Sequence, residues 1–108
     1  MDMTDEFLTP PAHVNFKAKR LFGHAGTVTD GAIAYIEKGG GGPTTPHSHP
    51  HDHLFIVVKG AIRVEYADGE IVTAKENEAI TVTGLRSHSV WNAGDDRATV
   101  IGLTVGQE

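Results

Sequence analysis

The 108-residue sequence contains no cysteine. That excludes disulfides, thiolate nucleophiles and every zinc or iron site built on sulfur. Positive charge is scarce: nine Lys and Arg stand against fourteen Asp and Glu, a formal net charge of −5 with the seven histidines neutral. The few basic residues are spread along the chain, which argues against a footprint for nucleic acid or anionic lipid. Long apolar runs are missing as well. The longest aliphatic or aromatic run, Leu54 to Val58, has five residues, far short of the roughly 20 that a membrane-spanning helix needs. The N-terminal MDMTDEFLTPP has no basic segment followed by an apolar one. The expectation is therefore a soluble, cytoplasmic chain with no nucleic-acid and no membrane partner.

The 39% hydrophobic fraction is enough for one core, and the length suits a single domain. No 3.6-residue apolar period persists for three turns, so the sequence predicts strands rather than long helices. After residue 53 it falls into short β-rich pieces separated by turn residues: His53 to Lys59, Ala61 to Ala67, Glu70 to Ala74, Glu78 to Thr83, Ser87 to Asn92 and Arg97 to Val105. Asp68-Gly69 between two of them is a hairpin signal. Thr27 to Lys38 and Val14 to Phe22 are two further candidate strands, and residues 1–12 read as a flexible N-terminal arm preceding a domain over 13–108. Gly39 to Gly42 and the following Pro-Thr-Thr-Pro read as a loop, too flexible and proline-rich to pair in a ladder. A phosphate cradle is not supported, because no Lys-Ser/Thr follows the glycines. Regular short strands of this kind predict an all-β fold, a single antiparallel sandwich or barrel in which closure hides the edges.

Four of the seven histidines stand within seven residues, at His47, His49, His51 and His53, and His88 follows thirty-five residues on. Neutral imidazole is the commonest metal-binding side chain, and i, i+2 spacing on extended chain aims His47 and His49 to one face. A straight strand would carry His53 roughly 13 Å beyond His49, so a turn is required, and Pro50 and Asp52 supply its chemistry. His51 lies in that turn and is read as exposed or as supporting the ligands from outside. His13 and His24 stand apart and read as ordinary surface or core residues.

These residues carry a resemblance to the cupin superfamily. Gly41, His47-x-His49, His53 and Gly60 fall at the spacings of the first cupin motif, with histidine where that motif has glutamate. His88 and Asn92 match the second motif, whose usual proline and glycine are here Thr83 and Leu85, with Asn77 at the leading glycine and Gly84 making the turn. The chain thus resembles the small single-domain conserved-barrel cupins with a four-histidine metal site. The resemblance, which spans about residues 28 to 105, implies a jelly-roll β-barrel, a homodimer, and one divalent transition metal held by His47, His49, His53 and His88. Losing the carboxylate leaves the ion its full charge and disfavours magnesium and calcium, so manganese, iron, nickel, copper and zinc all remain open.

Strand parity from the ligands nominates Phe55 and Val57 beside His53, and Arg86, Val90 and Asn92 beside His88, as barrel-lining positions. Phe55, Arg86 and Val90 are the candidate substrate-binding residues. For Arg86 a simple exposed turn position is the rival reading, Trp91 falls on the opposite parity, and Asn92 reads as holding the loop after His88. No pair of carboxylates is placed near the histidines, so any catalysis rests on the metal. The function expected is a metal-dependent oxidoreductase of the dioxygenase kind acting on a small oxygen-rich substrate. The alternatives are non-redox isomerase or lyase chemistry, with Tyr35 or His51 as candidate base, or non-catalytic binding of metal or a small ligand.

Overall fold

The computed structural model describes residues 6–23 and 25–106, so residues 1–5 of the expected arm, His24 and the last two residues lie outside the described residues. Eight strands follow one another: β1 (Thr27–Ile36), β2 (Gly41–His47), β3 (Asp52–Lys59), β4 (Ala61–Tyr66), β5 (Ile71–Lys75), β6 (Ala79–Val82), β7 (His88–Asn92) and β8 (Ala98–Gly106). They form two four-stranded antiparallel sheets, ordered β1-β8-β3-β6 and β2-β7-β4-β5. The result is an all-β, cupin-like sandwich or barrel. Among the described residues no helix is long and apolar enough to cross a membrane.

Alternation in sequence becomes alternation in burial most clearly in β4, where Ile62, Val64 and Tyr66 are buried between half-buried neighbours. Their side chains meet those of the other sheet in two clusters. Ile62 packs with Val57, Ala74, Ala98 and Val100, and Val64 and Tyr66 pack with Val82. Each fully buried aliphatic side chain contributes roughly 1.5–3 kcal/mol relative to an exposed one. Val57, expected at the cavity, is instead part of this closed core. The β4–β5 hairpin turns through Asp68-Gly69, with Asp68 Oδ1 accepting from Glu70 N–H at 3.0 Å and Gly69 at φ 100°.

Two expectations are corrected. Gly41 to His47, expected as a loop, is an edge strand: Gly41 pairs with Trp91, Gly42 with Val90 and His47 with His88, while the register breaks between Gly42 and His47. Prolines are tolerated there because an irregular edge strand does not need every N–H for the ladder. Val14 to Phe22 is not a strand. Its regular pairing is one bridge, Leu8 to Ala18, which ties the expected arm to residues beyond it.

Candidate metal centre

His47 ends β2 and His88 opens β7, and the two are register partners on one sheet. His53 is the second residue of β3 on the other sheet, where it pairs with Val82 and Thr104. The chain between them bends at Pro50 and His51. The five rings therefore converge between the sheets at one end of the barrel, with His49 as their hub. Its ring centroid lies 5.0 Å from His47, 5.0 Å from His88, 4.7 Å from His53 and 4.1 Å from His51, stacked nearly parallel on the last.

Two triads have nitrogens close enough to share an ion, His47 with His49 and His88, and His49 with His51 and His53; all these ligand atoms lie within 4.8 Å of one another in each triad. His51, set aside in the sequence reading, is thus half-buried and in the cluster. Two hydrogen bonds decide which nitrogens are available. His49 Nδ1 lies 2.7 Å from the His51 carbonyl oxygen and His88 Nδ1 lies 2.5 Å from that of Arg86. A carbonyl can only accept, so Nδ1 carries the proton in both rings and Nε2 keeps its lone pair, the arrangement by which metal-binding histidines are oriented. His49 Nε2 is buried and has no hydrogen-bond partner. An orphaned basic nitrogen facing other imidazoles fits a metal ion, since a bound cation satisfies the lone pair that nothing in the protein does.

The electrostatics agree. The pKa of His53 is pushed down to about 4, first by burial and then by the positive charge its four neighbours would carry. His88, 2% exposed, is also held below the ordinary imidazole range by burial, with the Arg86 carbonyl pulling the other way and His49 and His47 adding to the depression. Both rings are thus kept neutral, the form that ligates.

The loop bearing His49 is braced by the turn before β7. His49 N–H donates to the Gly84 carbonyl at 2.8 Å, and Gly84 N–H donates to Asp52 Oδ1 at 2.9 Å. The approach is so close that a Cβ on Gly84 would collide with the His51 carbonyl oxygen and lie 2.6 Å from His49 Nδ1, the two ends of the hydrogen bond that fixes the His49 tautomer. Sequence reasoning assigned Gly84 a turn and missed this contact, which joins segments more than thirty residues apart.

A cavity of about 640 Å³ opens beside the histidines. His47, His53 and His88 form its polar end, and Phe55, Val90, Val100, Ala32, Ala34 and Gly102 give it apolar walls. Phe55 and Val90 are where parity put them. Arg86 is not among the lining residues: its guanidinium pairs with Asp68 at 2.6 Å and Glu70 at 2.8 Å and lies 3.7 Å from the Tyr66 ring centroid. Parity failed there because residues 83–87 are turn and β7 starts only at His88. Asn92, 4% exposed, bonds Ile36 and Asp96 carbonyls and Gly94 N–H, so it holds the loop after β7. Trp91 packs on Gly41 and donates Nε1–H to Ser89 Oγ at 2.9 Å. Asp30 also lines the cavity and was missed, because the register shift between Val28 and Asp30 that sets its face leaves no mark in the sequence.

Residues 32–106 match a family model described as "Cupin domain". No curated protein matches the chain. Among solved structures, a cupin-like protein from Thermotoga maritima is similar over 69% of this chain and 55% of its own, at 21% identity and a TM-score of 0.61. A cupin protein from Bacteroides fragilis is similar over 74% and 67%, at 15% identity and 0.62. A protein of unknown function from Streptococcus pyogenes is similar over 76% and 69%, at 19% identity and 0.59. The chain thus spans little more than half the Thermotoga protein, and at these identities the likeness is one of fold.

Proposed function

The chain belongs to the cupin family, and from that footing we propose that it is a metal-dependent cupin of the dioxygenase kind. One divalent transition ion is held by His47, His49, His53 and His88, and a small oxygen-bearing organic substrate binds in the adjoining cavity. The observation that carries the reading is the buried, unpartnered His49 Nε2 at the centre of the histidine cluster. A redox-capable ion held there supplies the electron exchange with dioxygen that such chemistry requires. The protein's own residues do the rest. Hydrogen bonds from Nδ1 fix the His49 and His88 rings, burial keeps His53 and His88 neutral, and the apolar walls exclude water from a ligand beside the histidines.

The test is elemental analysis of the purified protein, followed by dioxygen uptake after reloading stripped protein with iron or manganese in the presence of diketone, flavonol or thiol-acid substrates. No uptake with any metal would overturn the oxidoreductase part of the reading, and no metal taken up would overturn all of it. Alanine at His47, His49, His53 or His88 should each lower metal occupancy sharply, whereas His51→Ala should leave most of the ion bound. Loss of the ion in His51→Ala with retention in His53→Ala would instead assign the second triad as the site.

The assembly proposed is a homodimer. β1 is a ten-residue edge strand with Ile33 63% and Tyr35 64% exposed, and a long apolar edge is a ready surface for pairing. Light scattering should give a particle of twice the 11.5 kDa chain mass; a monomer at micromolar concentration would contradict this.

A further inference from the structure

Two carboxylates line the cavity, and they differ in how they are partnered. Glu37 Oε2 is paired with Arg97 Nε at 2.8 Å. Asp30 has no cationic partner among the described residues; its Oδ1 accepts from the adjacent Gly31 N–H at 2.9 Å, which leaves the other oxygen for an outside donor. The sheet register says where Asp30 stands. Asp30 faces Thr104 on β8, and Thr104 faces His53 on β3, so the three form one row across the sheet, and all three line the cavity. With strands about 4.8 Å apart, Asp30 Cα lies roughly 10 Å from His53 Cα. The neighbouring row, Ala32, Gly102 and Phe55, carries no polar side-chain atom. It is also closely packed, since a Cβ on Gly102 would lie 3.1 Å from Phe55 Cε1.

A polar band thus runs along one level of the cavity, histidines at one end and an unpaired carboxylate at the other, beside an apolar floor. We propose that the substrate is a ring-sized, mainly apolar molecule with two polar groups. One is an oxygen donor for the ion at the histidine end, and the other is a hydroxyl that donates its hydrogen to Asp30. This rests on the metal-binding reading above and adds the substrate class to it. A second carboxylate in place of the hydroxyl is rejected, because it would face Asp30 with like charge. A molecule lacking the hydroxyl leaves Asp30 with no donor in exchange for the water it loses.

The experiment titrates zinc-loaded protein, which does not turn over redox substrates, with 3-hydroxybenzoate, 3-methoxybenzoate and benzoate. All three present a carboxylate to the ion, and 3-hydroxybenzoate alone carries a hydrogen-bond donor for Asp30. A hydrogen bond to a charged group corresponds to about a tenfold preference or more. The native protein should therefore favour 3-hydroxybenzoate by that factor, and in Asp30→Ala the three affinities should converge, with zinc content and melting temperature retained. Asp30 sits exposed on an edge strand, so this variant is not expected to disturb the fold. Equal affinities in the native protein, with binding still dependent on zinc, would overturn the substrate class and leave the metal reading standing. Binding that persists unchanged in chelated protein or in His49→Ala would overturn both.

Discussion

Replacing Gly84 by alanine should abolish metal binding at concentrations that saturate the native protein and lower the stability of the chelated protein by about 1–3 kcal/mol, the usual range for forcing an extra methyl into packed structure. The reason is local and steric. The added Cβ meets the carbonyl of His51 and the Nδ1 of His49, and backbone on one side and a ring on the other leave no flexible side chain to yield. To admit the methyl, the His49–His51 segment has to move off the turn. That movement strains the His49 N–H to Gly84 carbonyl bond, and with it the bond from His49 Nδ1 to the His51 carbonyl that keeps Nε2 free. Because His49 belongs to both triads, neither survives its displacement. Gly23→Ala is the matched control, for a Cβ there meets nothing within 4 Å. Metal analysis and thermal melts in chelator on both variants decide the matter. A Gly84→Ala protein that binds metal like the native one would show that the loop does not depend on this contact.

An effect of similar size is expected from the ion itself, and it should depend on pH. An ion present at a hundred times its dissociation constant stabilises the folded chain by about 2.7 kcal/mol. For a domain of this size that corresponds to a rise in Tm on the order of 10 °C at neutral pH. The metal-free protein has its own pH dependence. His53 is depressed to about 4 and His88 is depressed in the same direction, whereas the unfolded chain protonates these rings near 6.5. Between those values the unfolded state binds more protons, so stability is full above about pH 6.5 and is lost as the pH falls toward 4. Protons also compete with the ion for every ring. Four free imidazoles would close the gap between loaded and chelated melts between roughly pH 6 and 5. With His53 held neutral to about 4, the gap should instead narrow through that range and vanish only near pH 4. A gap undiminished below pH 4, with the ion still bound, would mean that oxygen atoms and not imidazoles hold it.

The all-β character, most strand positions and the histidines were legible in the sequence because each is written in short-range spacing. Alternation of apolar residues, Asp-Gly at the hairpin and His-x-His at i, i+2 need no knowledge of distant chain. The motif spacing from Gly41 to Gly60 likewise lies on one continuous stretch, and its match to the cupins anticipated the fold. Tertiary structure decided what depends on contacts between remote segments. The pairing of Gly41 and His47 with β7 made a strand of a glycine- and proline-rich stretch that local rules read as loop. The length of the turn before His88 moved Arg86 out to Asp68 and Glu70, although parity aimed it inward. A register shift beside Val28 set Asp30 in line with His53, and the contact of Gly84 with the histidine loop oriented His49. Sequence determines what a residue can do chemically and which way a regular strand points it. Which partners it meets is settled by where strands begin and shift register, and those are properties of the packed sheets.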